Sequence, residues 1–163
     1  MIEVDGVPMW RRQVDLVQRL GAKEIILSAG SDWSPAGGPW KIVADKVAGF
    51  GPLGGLQAAL AAMSTDRLLV LAVDMPAMSE EFLGRLAGDP GPGVVPEMDG
   101  YFQGLAAIYP RSITALVDEA LQGEDRSVQA FISRAVAAGL VSALPVTGID
   151  KALFRNVNRP EDL

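Results

Sequence analysis

Two aspartates are candidate ligands for a metal-bound phosphate, because each directly follows an apolar run typical of a buried strand. Asp74 follows residues 68–73, and the chain then turns through Met75 and Pro76. Asp45 follows the shorter run 41–44. Ligands of open α/β sheets gather at the carboxyl ends of strands, so the two acids predict a site for Mg²⁺ or a ribose. The alternatives are that Asp74 hydrogen-bonds its own turn and that Asp45 is a solvated loop acid.

A glycine-rich segment lies between these acids, at residues 49–55, and reads Gly-Phe-Gly-Pro-Leu-Gly-Gly. It contains G-x-G-x-x-G, but we reject a dinucleotide fingerprint, because the first glycine does not directly follow a strand. Pro52 also lacks the N–H that would bind phosphate at the start of the helix. The segment therefore predicts a glycine-rich surface at a helix N-terminus. A plain loop leading into a helix is the alternative.

The tail carries two amides, Asn156 and Asn158, in a stretch that we predict to be extended. Side chains two residues apart on an extended chain point the same way. Both amides are then available to a ligand or to a loop backbone, although such pairs also occur in ordinary turns.

Composition narrows the possible chemistry further. The chain has 163 residues, of which 49% are apolar and 21% charged, as in a globular domain. A net charge of −6 argues against a basic nucleic-acid surface. The absence of cysteine and histidine excludes thiolate nucleophiles, histidine bases and Cys/His zinc sites, so any metal would have oxygen ligands, which favours Mg²⁺ or Mn²⁺. The longest apolar run, 68–73, is too short for a bilayer and no signal pattern opens the chain, so we expect no membrane partner and a cytoplasmic location.

These residues must be positioned by elements that alternate along the chain. The sequence predicts one doubly wound α/β domain spanning residues 1–163, with a mostly parallel sheet. We expect strands at 24–29, 41–44, 68–73, 94–96, 105–109 and 141–146, and helices at 10–20, 52–63, from Ser79 onward, at 112–121 and at 127–138.

In this order, the motifs resemble the molybdenum cofactor guanylyltransferase family over nearly the whole chain. The matching segments are Val-Asp-Gly-Val-Pro-Met at 4–9, Ile-Leu-Ser-Ala at 26–29, Val-Ala-Asp at 43–45, Gly-Pro-Leu-Gly-Gly-Leu at 51–56, Val-Asp-Met-Pro at 73–76, Gln-Gly-Leu at 103–105 and Asn-Val-Asn-Arg-Pro-Glu-Asp-Leu at 156–163.

The resemblance implies a Rossmann-like, nucleotide-diphospho-sugar transferase-like fold. It implies transfer of GMP from GTP to molybdopterin with release of pyrophosphate, using Mg²⁺ or Mn²⁺. Asp74 matches the catalytic, metal-binding and nucleotide-binding acid, and Ser28 and Asp45 match nucleotide contacts. The pterin side of the cleft would be lined by Gly51, Pro52, Gly54, Gly55, Gln103, Asn156 and Asn158. We expect a monomer that contacts molybdoenzyme maturation proteins transiently and binds no nucleic acid.

Three departures from the family pattern bear on these expectations. Gly104 stands where proline is usual, which we expect to loosen that turn, and Arg159 stands where threonine is usual. The first strand and the glycine-rich phosphate loop of the family are not among the 163 residues. We expect the neighbouring strands to be left unpaired.

Two explanations of the third departure stay open: Met1 is an internal methionine of a longer enzyme, or the chain is a relative whose sheet closes differently. The alternative functions are a non-catalytic nucleotide- or pterin-binding relative, and a cytidylyl or sugar nucleotidyltransferase of the same fold.

Overall fold

A computed structural model describes residues 2–29, 33, 35, 37–44 and 51–162 of the chain. Nine strands and five α-helices are assigned within these residues. In chain order they are β1 (Glu3–Val4), β2 (Val7–Pro8), α1 (Met9–Arg19), β3 (Ile25–Ser28), β4 (Trp40–Val43), α2 (Gly51–Ala62), β5 (Arg67–Leu71), α3 (Glu80–Ala87), β6 (Val94–Met98), β7 (Tyr101–Phe102), β8 (Ala106–Pro110), α4 (Thr114–Gln122), α5 (Val128–Ala137) and β9 (Ser142–Pro145).

The larger sheet has five strands, of which β5, β8, β6 and β7 follow one another in that order, while β9 pairs with β6. β6 and β9 are parallel, and the long connection between them contains α4 and α5. β8 is antiparallel to both β5 and β6, so the sheet is mixed and the prediction of a mostly parallel sheet needs correction here. The physical reason is the short connection through β7, because a parallel neighbour requires a crossover of a dozen or more residues.

A second, two-stranded sheet is formed by β3 and β4, which are parallel and in register from Ile25 opposite Trp40 to Ser28 opposite Val43. In the described part of the chain, β3 pairs only with β4 and β5 pairs only with β8. Each strand therefore keeps one unpaired edge. Unpaired edges are what the sequence predicts for the strands on either side of the family's first strand.

Helices cover both faces of the larger sheet and divide the core into two clusters. One cluster joins α2, α4 and α5 to the sheet through buried side chains such as Leu56, Val117 and Ile132. The other joins α1 and α3 to the opposite face through Leu16 and Leu83. Apolar residues at helical spacing produce these buried faces. None of the helices in the described residues is long and apolar enough to cross a bilayer.

Local signals in the sequence explain several element boundaries. The Ser79 hydroxyl accepts a hydrogen bond from the Phe82 N–H and caps α3, as predicted. The hairpin of β1 and β2 was not predicted. Its turn places Gly6 at φ 76°, a conformation that glycine adopts without strain.

Glu24 ties the beginning of β3 to its neighbours. Its carboxylate accepts a 2.7 Å hydrogen bond from Lys41 of β4, and others from the N–H and hydroxyl of Ser64. These hydrogen bonds lower the pKa of Glu24 from 4.5 to about 2, and the bond from Lys41 has the largest effect. The charged carboxylate thus stabilises the fold above pH 4.5, and this contribution is lost as the pH falls towards about 2.

We expect Glu24→Gln to lower the free energy of unfolding at pH 7 by on the order of 1 kcal/mol, because Lys41 is half exposed and the ion pair is screened. Urea unfolding of both proteins between about pH 3 and pH 7 tests this, and the difference should shrink below the ordinary glutamate pKa. A difference that is constant across this range would contradict the assignment.

Candidate active site at the end of β5

Asp74 lies just beyond the end of β5. The strand ends at Leu71, and the Ala72 N–H then donates a 2.7 Å hydrogen bond to the Leu105 carbonyl. The Oδ1 atom of Asp74 is buried and has no hydrogen-bond partner among the described residues. A buried carboxylate oxygen without a donor is costly unless a cation or another ligand satisfies it. If Asp74 only capped its own turn, Oδ1 would accept a hydrogen bond from that turn, and among the described residues it accepts none.

Two hydrogen bonds from distant segments hold the turn that carries Asp74. The Val157 N–H donates to the Asp74 carbonyl at 2.8 Å. The Gln13 side chain, from α1, donates through Nε2 to the Met75 carbonyl at 2.7 Å. Gln13 is only 6% exposed and Met75 only 4%. The position of the Asp74 backbone is therefore fixed by α1 on one side and by the tail on the other.

Gln13 was not predicted as a site residue, although the sequence contains a signal for it. It lies three residues after Trp10 and four before Val17, so a polar side chain occupies the apolar face of α1. A buried polar group of this kind requires a partner, which here is the Met75 carbonyl.

Replacing Gln13 with leucine should remove one of the two donors to the Met75 carbonyl and leave only the Met78 N–H, at 3.1 Å. We expect the free energy of unfolding to fall by about 1 kcal/mol, the net contribution of one such hydrogen bond. Gln18→Leu is the matched control, because Gln18 lies on the exposed face of the same helix. Its effect should stay within about 0.5 kcal/mol. Urea unfolding measures both, and equal effects of the two substitutions would show that the Gln13 contact does not hold the turn.

The Gln103 turn reaches the same end of the sheet. The Gln103 N–H donates to the Pro96 carbonyl at 2.7 Å, and the Ala106 N–H donates to the Gln103 carbonyl at 3.0 Å. Since the Leu105 carbonyl accepts a hydrogen bond from the Ala72 N–H, the turn lies beside the segment that leads to Asp74. The structure thus brings together three predicted segments, namely those of Asp74, Gln103 and the two asparagines.

Gly104 does not loosen this turn, contrary to our expectation. The Tyr109 hydroxyl donates a 2.8 Å hydrogen bond to the Gly104 carbonyl, and burial raises the pKa of Tyr109, which keeps the hydroxyl protonated. Gln129 of α5 accepts from the Phe102 N–H at 2.9 Å and donates to the Phe102 carbonyl at 2.7 Å. The turn is held by these side chains where proline would have restricted the backbone.

The asparagine pair has the arrangement that the sequence predicts. Asn156 and Asn158 are exposed. Val157, which lies between them, is only 3% exposed, so its side chain faces the core and the two asparagines face away from it. The Asp162 carboxylate accepts from the N–H groups of Asn158 and Arg159 at 3.0 and 2.9 Å. This turn holds the tail while both amides stay accessible at the end of β5.

The remaining predicted residues lie on β3 and α2. Ser28 is exposed at the end of β3, opposite the end of β4. Gly51 begins α2 at φ 57°, Pro52 is exposed, Gly54 is buried and Gly55 is half-buried. Asp45 lies outside the described residues. Among the described residues, no hydrogen bond joins Ser28 or the start of α2 to Asp74.

The donor set at this edge suits a hard cation. The described residues contain no group of three or more acidic, histidine or cysteine side chains that would form a protein-only metal cage. Mg²⁺ is usually held by one or two carboxylates together with substrate phosphates. A single carboxylate with a buried free oxygen, as at Asp74, fits that mode of binding.

Comparison with known proteins shows the family to which this chain is similar in sequence. Residues 1–141 match the model of the MobA-like NTP transferase domain. A probable molybdenum cofactor guanylyltransferase of Opitutus terrae is 32% identical over 166 residues, which cover 99% of this chain and 82% of the relative.

Solved structures show the same fold at lower identity. The molybdopterin-guanine dinucleotide biosynthesis protein A of Archaeoglobus fulgidus superposes with a TM-score of 0.69 at 21% identity, covering 99% of this chain and 84% of that one. The 4-diphosphocytidyl-2C-methyl-D-erythritol synthase of Anaerococcus prevotii gives a TM-score of 0.74 at 16% identity, covering 99% and 88%. A Mycobacterium tuberculosis protein solved in complex with manganese gives 0.65 at 16% identity, covering 91% and 80%.

These structural likenesses confirm the nucleotide-diphospho-sugar transferase-like α/β fold, and the sequence matches identify the family. The match of the family model over residues 1–141, with the 32% identity across almost the whole chain, shows that this chain belongs to the MobA-like NTP transferase family of nucleotidyltransferases.

Proposed function

We propose that the chain transfers GMP from GTP to molybdopterin, giving the guanine dinucleotide form of the molybdenum cofactor and pyrophosphate. The observation that carries the proposal is the buried Oδ1 of Asp74 at the end of β5, which has no hydrogen-bond partner in the part of the chain that the structure describes. Gln13 and Val157 fix the turn that carries it. The names of the Opitutus terrae relative and the Archaeoglobus fulgidus protein support the choice of guanine and pterin.

Asp74 would hold Mg²⁺ or Mn²⁺ and, through it, the triphosphate. When bound, the cation would neutralise charge on the triphosphate and on the departing pyrophosphate. The complex of the Mycobacterium tuberculosis protein with manganese supports a divalent cation on this fold. Asp45 and Ser28 are proposed as nucleotide contacts on the resemblance alone.

The pterin phosphate would be positioned from the other side of the cleft. Asn156 and Asn158 offer exposed amides beside Asp74, and the Gln103 turn is held rigidly next to them. Gly51, Pro52, Gly54 and Gly55 would complete this side at the start of α2. A phosphate oxygen of the pterin would form a bond to the α-phosphorus of GTP while the bond from that phosphorus to the bridging oxygen breaks. Pyrophosphate then leaves with the electron pair, and the protein contributes positioning and charge compensation.

Pyrophosphate release by the 163-residue chain, supplied with Mg²⁺ and the molybdenum-bound pterin, tests the proposal. We expect release with GTP and little with CTP. Nucleotide binding without release in any condition would instead favour the non-catalytic relative. Equal release with CTP would favour a cytidylyltransferase of the same fold. Binding and release should be measured separately by calorimetry and by a coupled pyrophosphate assay.

A further inference from the structure

Tyr101 is the one aromatic residue in the described part of the chain that is mostly exposed, at 65%. The other aromatic residues of that part are buried or half-buried. An aromatic ring that stays in water contributes little to the fold, because its stabilising effect comes from the removal of its surface from water. The ring of Tyr101 is therefore available to a ligand.

A tight two-residue turn carries Tyr101 at the tip of the hairpin formed by β6 and β7. Met98 and Tyr101 are paired across the hairpin, and the turn residues between them, Asp99 and Gly100, have φ of 53° and 82°. Positive φ at both central positions is typical of the type I′ turn, whose twist matches that of the flanking strands. The backbone geometry of the turn therefore fixes the position of Tyr101 on its strand.

Two side-chain contacts hold this hairpin in place. Gln129 of α5 exchanges two hydrogen bonds with the backbone of Phe102, and Lys151 pairs with Asp99 at the tip. A side chain on a restrained backbone loses less conformational entropy on binding than one on a free loop. Tyr101 is therefore preorganised for contact with a ligand.

Tyr101 lies at the same end of the sheet as Asp74. It is four residues before Leu105, whose carbonyl accepts the hydrogen bond from Ala72. The Gln103 side chain donates to the Tyr101 carbonyl at 3.3 Å. The hairpin therefore continues from β8, the neighbour of β5, beyond the segment that leads to Asp74.

Tyr101 also shares a face of the sheet with the tail that carries the two asparagines. Residues paired across antiparallel strands have their side chains on the same face. Met98, the partner of Tyr101, packs against the core cluster that joins α1 and α3 to the sheet. Phe154, which leads into the tail, belongs to that same cluster. Tyr101 and the tail are thus on one face, at the end of β5.

The proposed nucleotide contacts lie in the other direction from Asp74. β8 occupies one edge of β5, and Glu24, which precedes β3, contacts Ser64, which precedes β5. β3, with Ser28 at its end, therefore lies towards the opposite edge of β5 from the hairpin. A ring that contacts Tyr101 would belong to the substrate that accepts the nucleotide, and not to the base of GTP.

We propose that Tyr101 binds the planar ring of the pterin substrate by stacking. The inference rests on the proposed function, because that function supplies a ring-bearing acceptor. Pterins contain a planar pyrimidine ring, and stacking of a planar heterocycle on an aromatic side chain raises affinity by about tenfold. The amides of Asn156 and Asn158 offer donors and acceptors for the polar edge of the same ring.

Tyr101→Leu tests the proposal, and Tyr101→Phe is its matched control. Leucine keeps an apolar side chain but removes the ring, whereas phenylalanine keeps the ring. Calorimetry should show that Tyr101→Leu binds the molybdenum-bound pterin about tenfold more weakly than the wild-type chain, and that Tyr101→Phe differs by less than about twofold. The affinity for GTP with Mg²⁺ should be the same in all three proteins.

Thermal unfolding separates this role from a structural one. Since Tyr101 is mostly exposed, Tyr101→Leu should shift the melting temperature by no more than about 2 °C. A larger shift, with similar losses of affinity for the pterin and for GTP, would show that the side chain serves the fold and would overturn the proposal.

Four binding results would also overturn it. Equal pterin affinity of the wild-type chain and Tyr101→Leu would show that the ring makes no contact; pyrophosphate release by the wild-type chain would then leave the proposed function standing. Equal weakening by leucine and phenylalanine would assign the contact to the hydroxyl. Weaker binding of GTP alone would assign the ring to guanine. Failure of the wild-type chain to bind the pterin would remove the proposed function together with this inference.

Discussion

Asp74→Asn should abolish most metal-dependent nucleotide binding without destabilising the protein. Asparagine has nearly the same shape but loses the negative charge that holds a divalent cation. We expect GTP affinity in the presence of Mg²⁺ to fall by roughly 10- to 100-fold, and catalytic turnover by about 100-fold or more. Calorimetric titration of GTP with excess Mg²⁺, and again with EDTA, measures the first effect.

The stability of Asp74→Asn separates a functional role from a structural one. Oδ1 accepts no hydrogen bond from the described residues, so removing its charge should leave the free energy of unfolding unchanged or higher. A carboxylate that held the fold would show the opposite. Asp66→Asn is the matched control, since Asp66 is exposed immediately before β5, at its other end. A substantial loss of stability in Asp74→Asn would indicate that the acid serves the turn.

Gly104→Ala should produce the largest loss of stability among glycine-to-alanine substitutions near the site. A Cβ atom at this position would lie 2.5 Å from Ile132 Cδ1, 2.7 Å from Val128 Cγ1 and 3.0 Å from the Tyr109 hydroxyl. Atoms this close must move apart, and overpacking of a buried position costs about 1–3 kcal/mol. Movement of α5 would also disturb the bonds between Gln129 and Phe102, and with them the Gln103 turn.

The matched control for Gly104→Ala is Gly123→Ala, at the end of α4. A Cβ atom there would meet only backbone oxygens at 3.6 Å, which is ordinary contact, and φ is −76°. We expect its effect to stay within about 0.5 kcal/mol. Urea unfolding of the two variants, with pyrophosphate release as a second measurement, distinguishes them. If Gly104→Ala were as stable as the control, α5 would not restrain the turn as described.

The substitution of glycine for the family's proline is explained by this packing. The tripeptide 103–105 predicts a looser turn only when the backbone is considered alone. In the structure, α5 lies so close that no Cβ fits, and Tyr109 and Gln129 supply the restraint. A close approach between distant elements has no local signature, so it was not predictable from these three residues.

What the sequence predicted depended on local patterns. Helical spacing of apolar residues predicted α1, the Ser79 cap predicted the start of α3, and an apolar run ending in an acid predicted the position of Asp74. The contacts that hold the site were missed, because Gln13 and Met75 are 62 residues apart and Phe102 and Gln129 are 27 apart. The antiparallel direction of β8 followed from the two-residue strand β7, which is too short to show a pattern.

Binding of Mn²⁺ in the presence of GTP, followed by the electron paramagnetic resonance signal of the free ion, tests the central claim most directly. The wild-type chain with GTP should remove more Mn²⁺ from solution than GTP does alone. The Asp74→Asn variant with GTP should remove no more than GTP alone. Equal removal by the wild-type chain and Asp74→Asn would show that the cation is held elsewhere.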